Sequence, residues 1–97
     1  MSDNLPAIRD EDIEVELILR QVLQDVLGLD AEDVAEFTGE TGLFGHLPEL
    51  DSMAVAGLLT EVEDRLDILI EDDEVDGEML ETFGGLLSFV IAKRQEG

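Results

Sequence analysis

The chemistry available to this chain converges on Asp51-Ser52-Met53, where a carboxylate and a hydroxyl stand side by side. Before them lies a glycine-punctuated stretch, and after them an apolar-periodic one, so Ser52 opens a helix. Backbone N–H groups and the helix dipole favour an anion at such a position, and a serine hydroxyl at the exposed start of a helix is a place where a group can be attached. The competing use of the pair is helix capping, which both residue types perform well. A capping box would require Glu or Gln three residues on, and Ala54 and Val55 stand there instead.

Other chemistries fall away on spacing. Serine catalysis needs a base within hydrogen-bond reach that is itself oriented by a third group. The single histidine, His46, precedes Ser52 without a Gly-x-Ser-x-Gly elbow around the serine. It reads as a loop residue near Phe44, and the chain does not read as an enzyme. The run Asp72-Asp73-Glu74-Val75-Asp76-Gly77 imitates the start of an EF-hand loop, but the twelfth position is Phe83, which offers no bidentate carboxylate. No dedicated metal site is expected. The absence of cysteine excludes disulfides, thiolate metal sites and cysteine catalysis.

A chain of 97 residues supports one hydrophobic core. Apolar residues make up 44%, too many for a disordered acidic tail. With four Phe and neither Trp nor Tyr, that core is built from Leu, Ile and Val, which suits helix packing. The formal charge of -21 repels nucleic acid and anionic membranes, and draws in proteins with basic patches. No apolar run approaches the roughly 20 residues that span a bilayer, so stable membrane insertion is not expected. Residues 1–12 lack the basic flank and apolar segment of a signal peptide. The reading is a soluble, cytoplasmic monomer. Self-repulsion should lower its stability, so salt or millimolar-scale divalent ions are expected to raise the melting temperature. A melting temperature that stays flat across a salt titration would contradict this.

The periodicity predicts an all-α fold, a four-helix bundle of three main helices and one short one, with a long loop between the first two. Residues 1–9 read as a flexible leader and 10–95 as the domain. The first helix runs from Asp10 to Leu27, with Gly28 as its stop. Glu14, Glu16, Arg20 and Gln24 fall mostly on its polar face. Leu29 to Leu50 forms the loop, with a helical turn possible within Asp30 to Phe37 and with Leu43, Phe44 and Leu47 as anchors. The second helix spans Ser52 to Leu66, striped by Leu58, Val62 and Leu66, with Glu61, Glu63, Asp64 and Asp67 toward solvent. A connector holding Ile70 leads to a short helix from Asp76 to Leu80. Thr82 then caps a last helix that carries Phe83, Leu86, Leu87, Val90 and Ile91 and ends in Lys93 and Arg94.

With these elements in place the chain resembles the acyl carrier proteins, small acidic four-helix bundles whose second helix opens on Asp-Ser-Leu or Asp-Ser-Met. The resemblance runs from about Glu11 to Lys93. It rests on Asp51-Ser52-Met53, on Val62-Glu63-Asp64 late in the second helix, and on Thr82-Phe83-Gly84-Gly85-Leu86 at the start of the last. It implies that Ser52 carries 4′-phosphopantetheine derived from coenzyme A, with Asp51 helping to hold the divalent ion and coenzyme A during transfer. It implies acyl groups carried as thioesters, a phosphopantetheinyl transferase as a partner, and acyl-loading and acyl-transferring enzymes with basic patches as further ones. Met53, Glu61, Glu63 and Asp64 would meet partners, and Leu58, Val62, Leu66, Ile70 and Leu80 would shelter the acyl chain.

The chain departs from the family pattern at Glu49, where many carriers of fatty acid synthesis have Gly, and at Ala54 and Gly57, where acids are common. Partners that clamp those front acids should bind weakly, which favours a dedicated lipid or polyketide-like pathway. The run Pro48-Glu49-Leu50-Asp51-Ser52-Met53 resembles carriers of bacterial polysaccharide and exosortase-associated gene clusters. A peptidyl (aminoacyl) carrier is the alternative that shares the attachment logic, and an unmodified acidic interaction module is the one that lacks it.

Overall fold

A computed structural model describes residues 10–96, with side-chain surroundings for 12–95. The leader read at 1–9 lies outside the described residues. Among the described residues five α-helices follow in order: α1 (Asp10–Leu27), α2 (Ala31–Ala35), α3 (Ser52–Leu66), α4 (Gly77–Glu81) and α5 (Phe83–Glu96), with a 3₁₀ turn at Asp72–Glu74. The three long helices and the short α4 are those expected from periodicity. The helical turn foreseen in the loop is α2, a single turn whose Val34 reaches the interior.

Each long helix buries one stripe. Val15, Leu19, Val22, Leu23 and Leu27 of α1 meet Leu58, Val62 and Leu66 of α3, while Phe83, Leu86 and Val90 of α5 close the third side. These are the i, i+3, i+4, i+7 positions that bring side chains onto one face. Helix α1 ends at Gly28, whose φ of 70° lets its N–H return to the Gln24 carbonyl at 2.9 Å. Helix α3 ends without glycine. Asp67 itself turns left-handed, at φ 55°, a conformation that aspartate tolerates better than most residues.

The loop between α1 and α3 is tied down by backbone. Leu43 and Phe44 N–H donate to the Glu81 and Leu80 carbonyls at 2.7 and 3.0 Å. In return Phe83 N–H reaches Thr41 and Gly84 N–H reaches Gly39, each at 2.9 Å. This short antiparallel contact, centred on Gly42 and Thr82, clamps the loop against the junction of α4 and α5. It leaves no room at Gly84, where a Cβ would stand 2.7 Å from the Gly39 carbonyl oxygen and 3.0 Å from its Cα. Gly84→Ala is therefore expected to destabilise the domain by about 1–3 kcal/mol, the usual range for overpacking against atoms that cannot yield. Urea denaturation checks this, and an unchanged midpoint would mean that the clamp is loose.

The four described basic side chains each join two segments. Arg20, expected on the solvent face of α1, instead bridges from α1 to the loop. It donates to the Val34 carbonyl and, at 3.0 Å, to that of Phe37, and its guanidinium lies 4.6 Å from the centre of the Phe83 ring. Arg65 ties α3 to Asp25 of α1 at 2.9 Å, and Arg94 caps the end of α3 through the Leu66 carbonyl at 2.8 Å. Lys93 pairs with Glu74 at 2.8 Å. The ammonium, with the Glu71 backbone N–H, holds the Glu74 carboxyl below the ordinary range, so this pair supports the fold above that range and is lost as pH falls through the lowered value. With these four cations each engaged by intrachain partners, the unpaired charge among the described residues is negative.

Candidate functional site

The clamp on the loop fixes the chain that leads into α3. Leu43 is fully buried, Leu47 N–H returns to the Leu43 carbonyl at 2.8 Å, and Leu50 N–H to that of Leu47 at 3.0 Å. Leu50 is then sealed into the core, so the next two residues emerge at a fixed point on the surface.

Asp51 and Ser52 divide the two roles that the sequence left competing. Asp51 is the N-cap: its carboxylate accepts from Ala54 N–H at 2.8 Å and its carbonyl from Val55 N–H at 2.9 Å. Ser52, the first residue of α3, is exposed, and no hydrogen bond ties its hydroxyl among the described residues. The N–H groups of Ser52 and Met53 also lack acceptors there, as the first turn of a helix requires. The hydroxyl is thus free, at the positive end of a 15-residue helix, with two donors beside it. This donor set fits the phosphodiester of a phosphopantetheine arm.

Two hollows meet at Ser52. On the loop side is an open depression of about 590 Å³ lined by residues 44–48 together with Leu50, Asp51 and Ser52. On the other side, between α3 and α4, lies a smaller hollow of about 230 Å³ lined by Phe44, Ser52, Val55, Val75, Asp76, Gly77 and Leu80.

Of the five residues expected to shelter an acyl chain, Leu80 lines that smaller hollow. Leu58, Val62 and Leu66 are sealed core residues further along α3, and Ile70 is half-buried in the connector. Phe44, Val55 and Val75 form walls that sequence reasoning did not assign. Val55 was legible as a neighbour of the α3 stripe. Val75 carried no periodic signal, because it sits in a connector between the 3₁₀ turn and α4.

The residues expected to meet partners differ in how free they are. Met53 is 84% exposed beside the serine. Asp64 is exposed on α3, without a recorded partner among the described residues. Glu61 holds Arg65 at 2.8 Å, and Glu63 accepts from the Ile70 N–H at 2.7 Å, which fastens the connector to α3. The first turn of α3 contains no acid.

Gly57 is exposed, and a Cβ there would meet only Val26 Cγ1, at 3.9 Å, an ordinary contact. Gly57→Ala is expected to stabilise the domain by about 1 kcal/mol through helix propensity alone. Thermal unfolding tests it, and destabilisation would reveal a packing constraint at that turn.

Asp76, in the acidic run that imitates an EF-hand, caps α4 by accepting from Met79 N–H at 2.7 Å. Glu74 of the same run is held by Lys93, so two of its carboxylates already have intrachain partners.

No protein-family model matches the chain. An acyl carrier protein from an Exiguobacterium species is 36% identical to it over 77 residues, which cover 75% of this chain and 94% of that one. A solution NMR structure of a holo acyl carrier protein from Nitrosomonas europaea superposes with a TM-score of 0.72 at 34% identity, covering 87% of this chain and 98% of that one.

Proposed function

Because the chain belongs to the acyl carrier protein family, we propose that Ser52 is the residue that bears its 4′-phosphopantetheine arm. The protein is a carrier and not an enzyme. The observation that carries the assignment is the division of labour at the start of α3, where Asp51 caps the helix and leaves the Ser52 hydroxyl exposed and unbonded. In loading, the Ser52 oxygen attacks the phosphorus of coenzyme A that bears the pantetheine. Adenosine 3′,5′-bisphosphate leaves, and the hydroxyl proton passes to a base of the transferase. The arm, once bound, supplies a terminal thiol on which acyl groups form thioesters. The chain's own part is to fix Ser52 in space, to offer the Ser52 and Met53 N–H groups to the phosphodiester, and to present an anionic surface to enzymes with basic patches.

The first turn of α3 presents Met53 and no carboxylate, and Asp64 lies near the other end of the helix. This favours partners that grip an apolar residue beside the serine, and with them a dedicated lipid or polyketide-like pathway of the cytoplasm. The test is intact mass after incubation with coenzyme A and a broad-specificity phosphopantetheinyl transferase. Gain of one phosphopantetheine, mapped to Ser52 by peptide fragmentation, is the expected result. No gain, while a known carrier in the same reaction is loaded, would overturn the assignment.

A further inference from the structure

The two hollows at Ser52 are unequal, and the larger one is not the hollow between α3 and α4 that the acyl reading uses. At about 590 Å³ the loop-side depression falls within the roughly 300–1,000 Å³ typical of small-molecule sites, whereas the hollow of about 230 Å³ falls below it. The loop-side walls are also of mixed chemistry. Phe44, Leu47 and Pro48 supply apolar surface, and apart from Ser52 itself the only side chain there that can donate a hydrogen bond is His46. The other polar wall, Asp51, accepts, and Glu49 stands exposed in the same loop.

His46 is held in place by the backbone beneath it. Its N–H returns to the Leu43 carbonyl at 2.9 Å, and a Cβ at Gly42 would overlap its ring. Glycine at 42 is therefore what lets the imidazole lie against the clamp. Gly45, at φ 89°, gives the turn a left-handed step that glycine accepts without strain.

A pantetheine arm matches these walls. It has a geminal dimethyl group close to its phosphate, then two amides whose carbonyls can accept from the exposed His46 imidazole. We propose that the loop-side depression is a docking site for the arm, with the dimethyl group against Phe44, Leu47 and Pro48 and an amide carbonyl accepting from His46. This inference rests on Ser52 as the attachment residue. It gives the arm a place to lie beside the hollow for the acyl chain, with Phe44 and Ser52 as the walls the two share.

The test is isotope-filtered NMR on the holo protein, after intact mass has shown that Ser52 is loaded. Nuclear Overhauser contacts are expected from the pantetheine methyls to the Leu47 methyls and Pro48, walls that the smaller hollow does not share. They should be lost or strongly weakened in His46→Ala, and also in Gly42→Ala, which displaces the ring without removing it. A melt of each variant shows that it is folded before its spectra are read. Contacts confined to Phe44, Val55, Val75 and Leu80, or no contacts from the loaded arm, would overturn the docking site and leave the attachment at Ser52 standing. Absence of loading would overturn both.

Discussion

Ser52→Ala is expected to abolish loading with phosphopantetheine while leaving the fold and its melting temperature close to those of the parent. The hydroxyl makes no hydrogen bond among the described residues, so its removal takes nothing from the helix. Asp51 allows a finer division. Its carboxylate caps α3, and Asp51→Ala should cost about 1 kcal/mol of stability, the usual value of an N-cap. Asp51→Asn should keep the cap, since asparagine caps as well as aspartate does, but it removes the charge. If the carboxylate helps to hold a divalent ion and coenzyme A, loading of the Asn variant slows at unchanged stability. Equal loading rates for Asp51→Asn and the parent would reduce Asp51 to a cap. A Ser52→Ala protein that still gains phosphopantetheine would place the attachment elsewhere in the chain.

The parts of this architecture that were legible in the sequence are those that repeat. Helices α1 and α3 showed in stripes of Leu, Ile and Val, and the end of α1 in a glycine. The end of α3 had no such residue, because Asp67 takes up the left-handed turn itself. The clamp on the loop was illegible for a different reason. It is made of backbone hydrogen bonds between residues 39–44 and 80–84, far apart in sequence, and such bonds leave no pattern in residue types. Gly39 and Gly42 read only as breaks in periodicity and Gly84 as part of the resemblance at the start of the last helix, whereas in the fold a Cβ at Gly84 would stand 2.7 Å from the Gly39 carbonyl oxygen.

Polar side chains with inward duties were hidden in the same way. Arg20 and Glu63 fall on polar faces by periodicity, and both reach back to satisfy backbone groups of neighbouring segments. A pattern of apolar spacing counts such residues as solvent-facing whatever they bond to. At the site itself, the sequence located the Asp51-Ser52 pair but could not say which member was the cap. That depended on backbone angles at Asp51, extended at φ -101° and ψ -176°, which place its carboxylate over the Ala54 N–H.

Phe83→Ala should be the most damaging single change to the fold. Phe83 is the largest of the fully buried side chains, at the hinge between α4 and α5, and truncation of such a ring typically costs about 3–5 kcal/mol. Whole domains of this size are stable by only about 5–15 kcal/mol, so the variant should melt well below the parent. Two further contacts converge on the ring. The Arg20 guanidinium lies 4.6 Å from its centre, and Phe37 meets it edge-on at 5.9 Å. Arg20 in turn holds the Val34 and Phe37 carbonyls, so the ring supports the very residue that fastens α2 and the loop to α1. Losses at contacting residues are not additive, and a double-mutant cycle between Phe83→Leu and Arg20→Met should show coupling of about 0.5–3 kcal/mol. Since the loop is what presents Ser52, loading of Phe83→Ala should fall with the folded fraction and recover in part when Gly57→Ala returns about 1 kcal/mol of the loss. A loss below about 1.5 kcal/mol for Phe83→Ala would mean that the site collapses around the missing ring, in a region where the clamp is expected to hold the backbone apart.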